Sequence, residues 1–420
     1  MSTSRRVCVT AMATTLAMSL SACGGAGPSS TVDSTLKITA NITDRAAMKA
    51  VVAAFERENP NAKVAVTYSD TDRLQSTLPT QLSSDAGPDV FTVWPGYGNP
   101  AALRMLENTG RLADLSGLDF VRRVPEDTQW VTQVSHRTYV VPANYSGIGA
   151  IYNKKAMRDI DGTEPETWDE LLHLCDRAKA EGMVLFALGI KTPWVTQLAD
   201  YALAATTVYA EQPDFAVAMS EGRATFADSG WRKALEKYVE LDERGCFSSD
   251  PLGTTYERSV QDVIEGRAVG VIQVASSISA ITAAAPELQL AMFALPATNN
   301  PAQTHMPGSV SAAYGVNSES DNKELAMKFA EFLGSEAGQN SYNQGSGTLP
   351  AIPDDRFTTE PVLTELIGHQ KAGTTVPFMD QLWPNPRVQQ EHFIQIQQLF
   401  SGRTDIDGVL AALDEVYQEQ

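Results

Sequence analysis

The chain has 420 residues, 43% of them hydrophobic and 20% charged, a soluble globular composition too long for one core, so two or three domains are expected. Its formal net charge of −19 excludes nucleic acid and anionic membrane surfaces as natural partners, and no basic tract is present to track phosphates.

The N-terminus reads as an export signal. Arg5 and Arg6 precede an apolar, alanine-rich run to Leu20, and small residues then lead into Cys23. Leu20-Ser21-Ala22-Cys23 followed by Gly24-Gly25 resembles the lipobox of bacterial lipoproteins. That resemblance implies removal of residues 1–22, acylation of Cys23 and a stable lipid anchor. Residues 23–34 are rich in Gly, Ser and Pro and read as a flexible tether. No later apolar run is long enough to span a bilayer. The expected location is the outer face of the cell membrane. Cys8 leaves with the signal, so Cys175 and Cys246 remain, in a compartment where disulfides persist. Both a buried free Cys175 and a Cys175–Cys246 bridge fit the pattern. Neither cysteine has metal-site spacing, and no metal or other cofactor is expected.

From residue 35 a regular rhythm begins. Leu36, Ile38, Ala40 and Ile42 alternate as in a strand, then Ala47, Met48, Val51, Val52 and Phe55 recur at helical spacing. Val64, Val66 and Tyr68 form a second strand, Leu74, Leu78 and Leu82 a second helix, and Asp89–Val93 a third strand. This βαβαβ order predicts a parallel sheet whose ligands sit beyond the carboxyl ends of the strands. The loops there hold Asn41, Thr43, Asp70, Trp94 and Tyr97. A second α/β unit follows. Thr167-Trp168-Asp169-Glu170 is a capping box. Residues 184–190 read as a strand ending at Pro193-Trp194, and 268–274, 290–295 and 312–317 as further strands. Ser276-Ser277 opens a helix, and from Asp321 the chain is mostly helical.

Catalytic patterns are missing. The five histidines are scattered, Gly308-Ser309-Val310-Ser311-Ala312 lacks the last glycine of a nucleophile elbow, and Gly96-Tyr97-Gly98 is half of a phosphate cradle. What recurs is aromatic residues in loops: Trp94, Tyr97, Tyr145, Trp194 and Trp383. An indole face suits the C–H face of a pyranose through dispersion and weak C–H contacts. Sugar hydroxyls then need polar partners such as Asn41, Asp70, Asn144 and Ser309, since buried hydroxyls must be paired.

The stretch from Pro142 to Asp159, PANYSGIGAIYNKKAMRD, resembles the signature of family 1 extracellular solute-binding proteins of ABC importers, departing only at Ala150, where a larger aliphatic is usual. PDVF at 88–91, TWDEL at 167–171, GRAVGVI at 266–272, NKELAMKF at 322–329 and GTLPA at 347–351 keep the family's order and spacing. The resemblance implies a two-lobed, maltose-binding-like periplasmic-binding fold of type II with a hinge and an interlobe cleft. It also implies a monomer without catalysis that delivers a sugar or oligosaccharide to membrane permease subunits.

By position it makes Trp94, Trp194 and Trp383 stacking platforms. It places Ser276 and Ser277 where maltose-type members carry another tryptophan, which argues against maltodextrin itself. Gly308 and Ser309 complete the expected site. The expected lobes are residues 35–146 with 276–314, and 147–275 with 315–420, with hinges near Gly147, Ala275 and Tyr314. Two alternatives remain: a receptor for a polyamine or phosphoester, with carboxylates or arginines in the cleft respectively, and an exported glycosidase using the same aromatics.

Overall fold

Alternation sets the first sheet. In the strand Thr35–Asn41 the side chains of Leu36, Ile38 and Ala40 are buried, as period-2 patterning requires. The computed structural model describes residues 35–84 and 87–419; the signal segment, Cys23 and the tether lie outside the described residues. Thr35–Asn41 pairs in parallel with Lys63–Ser69 on one side and Val90–Val93 on the other. The helices Arg45–Glu58 and Thr71–Ser83 provide the crossovers. Two antiparallel strands, Ala313–Val316 and then Val140–Pro142, complete five strands beyond Val90–Val93.

The second sheet is built around Asn144–Asn153, a strand buried at all ten positions. Burial on both faces explains its near-continuous apolar and small-residue sequence. Met306–Val310, Ala268–Val274, Leu290–Phe293 and Leu349–Pro350 all pair antiparallel with it, and Val184–Phe186 lies parallel to Ala268–Val274. The helices Pro386–Phe400 and Ile406–Gln418 pack on this lobe through Val388, Ile396, Val409 and Leu413. The capping box is formed as expected: Thr167 Oγ1 accepts from the Glu170 amide at 3.3 Å and Glu170 Oε2 from the Thr167 amide at 3.1 Å. Cys175 and Cys246 are disulfide-bonded with Cα atoms 5.0 Å apart, stapling the helix Trp168–Ala180 to the segment after Trp231–Glu243.

Each sheet with its helices forms a lobe, and the chain passes between them three times, at 142–144, 310–313 and 343–349. These crossings are laced together. The Ala143 amide donates to the Ala312 carbonyl at 2.9 Å, the Ala312 amide to Asn144 Oδ1 at 2.8 Å, and Asn343 Nδ2 to the Ala143 carbonyl at 2.9 Å.

The expected lobe boundaries need correction. The strands Leu290–Phe293 and Met306–Val310 belong to the second sheet, not the first. Conversely, the helices Lys323–Gly334 and Glu336–Asn343 bury Phe329, Phe332, Leu333 and Tyr342 against Leu36, Met48 and Phe55 of the first lobe. The third crossing accounts for the exchange, because it returns the chain only after those helices are placed. Gly147 and Ala275 are bonded to each other inside the second sheet, the Ala275 amide donating to the Gly147 carbonyl at 2.8 Å, so neither is a crossing point. Among the described residues no helix is long and apolar enough to cross a membrane.

Candidate ligand-binding cleft

The carboxyl ends of the first-sheet strands form one wall of a cleft between the lobes. Asn41 ties three of these loops together. Its amide donates to Thr92 Oγ1 at 3.1 Å, its Nδ2 to Thr71 Oγ1 at 3.1 Å, and its Oδ1 accepts from the Thr43 amide at 3.3 Å. Asp44 follows at the end of a single 3-10 turn, with Oδ2 accepting from the Tyr314 hydroxyl at 3.2 Å. Burial pushes its carboxyl up to about 6, against the pull of the Tyr314, Tyr342 and Thr43 hydroxyls.

The third strand runs into Trp94, whose backbone is held by Ala101 and Leu103 at 3.2 and 2.8 Å, leaving residues 95–100 as a tight loop. The two glycines in that loop have a specific use. A Cβ on Gly98 would fall 2.6 Å from Asp380 Oδ2, and one on Gly96, at φ +78°, would fall 2.5 Å from the Gln381 carbonyl oxygen. The loop therefore lies backbone-to-backbone against a turn of the second lobe, which only glycine permits.

The opposite wall comes from the second lobe. Trp194 sits in the short turn Pro193–Val195 with its ring 5.1 Å from that of Tyr256. Gln197 accepts from Gln389 Nε2 at 3.0 Å. The turn Met379–Leu382 supplies Asp380 and Gln381. Gln381 is anchored by both ends of its amide, Oε1 accepting from Ser309 at 2.7 Å and Nε2 donating to the Val310 carbonyl at 2.8 Å. Burial pushes the Asp380 carboxyl up to about 7, with the Tyr201 hydroxyl among the groups pulling it down. The cavity holds about 820 Å³ of atom-free space, its open mouth included.

Five of the expected site residues line this cavity: Trp94, Trp194, Asn41, Thr43 and Ser276. The others lie elsewhere, each for a visible reason. Trp383 is 2% exposed, packed among Tyr201, Phe226, Trp231 and His392 with ring centroids 5.8–6.2 Å away. It is core. Tyr145 is buried in the second lobe against Gly308, and a Cβ on Gly308 would meet its hydroxyl at 2.8 Å, so this pair packs together away from the cleft. Tyr97 stacks under the Arg104 guanidinium at 5.1 Å. Asp70 is an exposed helix cap accepting from the Arg73 amide at 2.9 Å. Asn144 staples the crossings, Ser277 accepts from the Tyr256 hydroxyl at 3.1 Å, and Ser309 stands behind Gln381.

The sequence reading missed Asp44, Gln75, Gln197, Asp380, Gln381 and Gln389, all of which line the cavity. Asp44 is one residue beyond Thr43 in the same loop, Gln381 lies in the loop 381–386 that carries Trp383, and Asp380 immediately precedes that loop. Gln75, Gln197 and Gln389 carried no signal, because a helical polar residue faces solvent and cleft with the same spacing.

Residues 39–340 match the family described as bacterial extracellular solute-binding protein. Over 311 residues the chain is 21% identical to a multiple sugar-binding protein of Streptococcus mutans, spanning 73% of this chain and 72% of that one. A solved chitin oligosaccharide binding protein superposes with a TM-score of 0.78 at 21% identity, covering 91% of this chain and 98% of that one. The binding protein RafE in complex with raffinose gives a TM-score of 0.76, also at 21% identity, covering 91% and 98%. Both likenesses establish a shared two-lobed fold.

Proposed function

The chain belongs to the family of bacterial extracellular solute-binding proteins, and from that premise we propose that it captures an oligosaccharide in the interlobe cleft and delivers it to an ABC permease. The observation that carries this reading is the pairing of Trp94 and Trp194, one from each lobe, on a single cavity that presents hydroxyl, amide and carboxylate side chains beside apolar ones such as Ile148, Leu198 and Phe378. Indole faces stack on the C–H faces of sugar rings, while Asn41, Thr43, Asp44, Gln197, Ser276 and Gln389 pair the hydroxyls.

Ligand contacts to both lobes favour the closed arrangement over the open one, with rotation taken up at the three crossings. The mature chain acts outside the cell as a monomer, and acylated Cys23 tethers it to the membrane. The sugar classes printed for the relatives, a multiple sugar-binding protein, a chitin oligosaccharide binder and a raffinose complex, support the ligand class without choosing among them.

The test is a titration with mono- and oligosaccharides, following tryptophan fluorescence and melting temperature together. Saturable quenching with one sugar class and a raised melting point is expected, since a ligand at 100 times its Kd stabilises the native state by about 2.7 kcal/mol. Silence with every sugar, alongside a response to polyamines or phosphoesters, overturns the oligosaccharide reading and leaves the receptor fold intact.

A further inference from the structure

The cleft has carboxylates on both walls and, among the described residues, no cation on either. Asp44 comes from the first lobe and Asp380 from the second, 7% and 8% exposed. Among the described residues no Lys, Arg or His lines the cavity. The groups acting on Asp44 are the hydroxyls of Tyr314, Tyr342 and Thr43, and those acting on Asp380 are its own backbone and the Tyr201 hydroxyl; no cation among the described residues is a source of either shift. Burial raises both acids for that reason, toward neutrality.

A ligand enters this balance through its own charge. An ammonium group supplies the missing counter-charge and is also attracted to the indole faces of Trp94 and Trp194. A ligand carboxylate or phosphate meets an acidic group on each wall of a desolvated site, with no arginine lining the cavity to receive it.

Resting on the oligosaccharide reading, we propose that the cleft selects sugars by charge: amine-bearing over neutral, and neutral over uronate or phosphorylated sugars of the same linkage, with Asp44 and Asp380 as the selecting groups. The order follows from the sign of the lining charge rather than from the shape of any one subsite.

Calorimetry on the purified full chain at pH 7 tests this with α-1,4 and β-1,4 trimers in three forms, made of glucose, glucosamine and glucuronate. In whichever linkage binds, the expected result is an amine form about tenfold tighter than the neutral one and a uronate form at least about tenfold weaker. Asp380→Asn and Asp44→Asn, each checked by melting for a folded protein, are expected to narrow the amine-to-neutral ratio severalfold. Should one variant fail to fold, the other reads the same ratio. A uronate trimer binding as tightly as its neutral counterpart, an amine form no tighter than neutral, or a ratio unmoved in the folded variants overturns charge selection and leaves the sugar reading standing. Silence from all three forms in both linkages overturns charge selection among these trimers, and silence extending to the whole mono- and oligosaccharide panel overturns the sugar reading itself.

Discussion

Asp380 of the second lobe lies directly on Gly98 of the first, so closely that a Cβ on the glycine would fall 2.6 Å from the carboxylate oxygen and 2.7 Å from the Asp380 carbonyl. The loop that carries Trp94 is thereby in contact with the turn that carries Asp380, and the two close one side of the cleft.

Gly98→Ala is expected to push these segments apart. Overpacking of this kind costs about 1–3 kcal/mol, and here it falls on the arrangement in which the lobes touch. Ligand affinity should drop by about tenfold or more, while the melting point of the ligand-free protein moves much less. Titration calorimetry and a thermal melt on the same sample check this. An unchanged affinity would mean that the ligand-bound form does not use the contact.

Trp94→Ala and Trp194→Ala should weaken sugar binding with little loss of stability, because both rings are half-buried on the cavity wall. Trp383→Ala should do the reverse. Removing a fully packed aromatic costs about 3–5 kcal/mol, read as a lower denaturation midpoint, with Tyr201, Phe226 and Trp231 losing a shared neighbour. Comparing the three by binding and by urea unfolding separates platform from core.

The pH dependence has a definite sign. Asp44 is raised from 3.8 to about 6 and Asp380 from 3.8 to about 7, so between those values the native state holds protons that the unfolded chain has released. Stability then falls as pH rises, from just above 4 to about 6 for Asp44 and to about 7 for Asp380. Asp72, raised to about 6 by burial and then by Asp70, acts in the same direction. Melting temperature of the ligand-free protein should decline across this window, and Asp380→Asn should flatten its upper end. A melting temperature that rises steadily from pH 5 to 7 would contradict the assignment.

Reducing the Cys175–Cys246 bridge, or replacing both cysteines with alanine, should cost about 2–5 kcal/mol, because it frees two residues separated by 71 positions in the unfolded chain. Sugar affinity should stay unchanged, since neither cysteine lines the cleft. Urea titrations with and without reductant measure the first, and calorimetry the second.

Local patterns alone determined a good deal of this protein. Alternation in Thr35–Asn41, helical spacing of Met48, Val51 and Phe55, and the Thr167–Glu170 cap each report short-range physics that the sequence carries in full. The same patterns placed Trp94 and Trp194 in loops at strand ends, and both line the cleft. Tertiary structure decided the rest. Whether residues 306–310 joined the first sheet or the second depended on pairing with Asn144–Asn153, more than 150 residues earlier in the chain, and an apolar face looks alike whichever partner covers it. Trp383 has the loop setting of a sugar platform, yet its indole is buried by Tyr201, Trp231 and His392, a choice made by packing. The use of Gly96 and Gly98 is likewise invisible until Asp380 and Gln381 arrive from the far lobe. Periodicity tells which atoms leave water; only the folded chain tells what they meet.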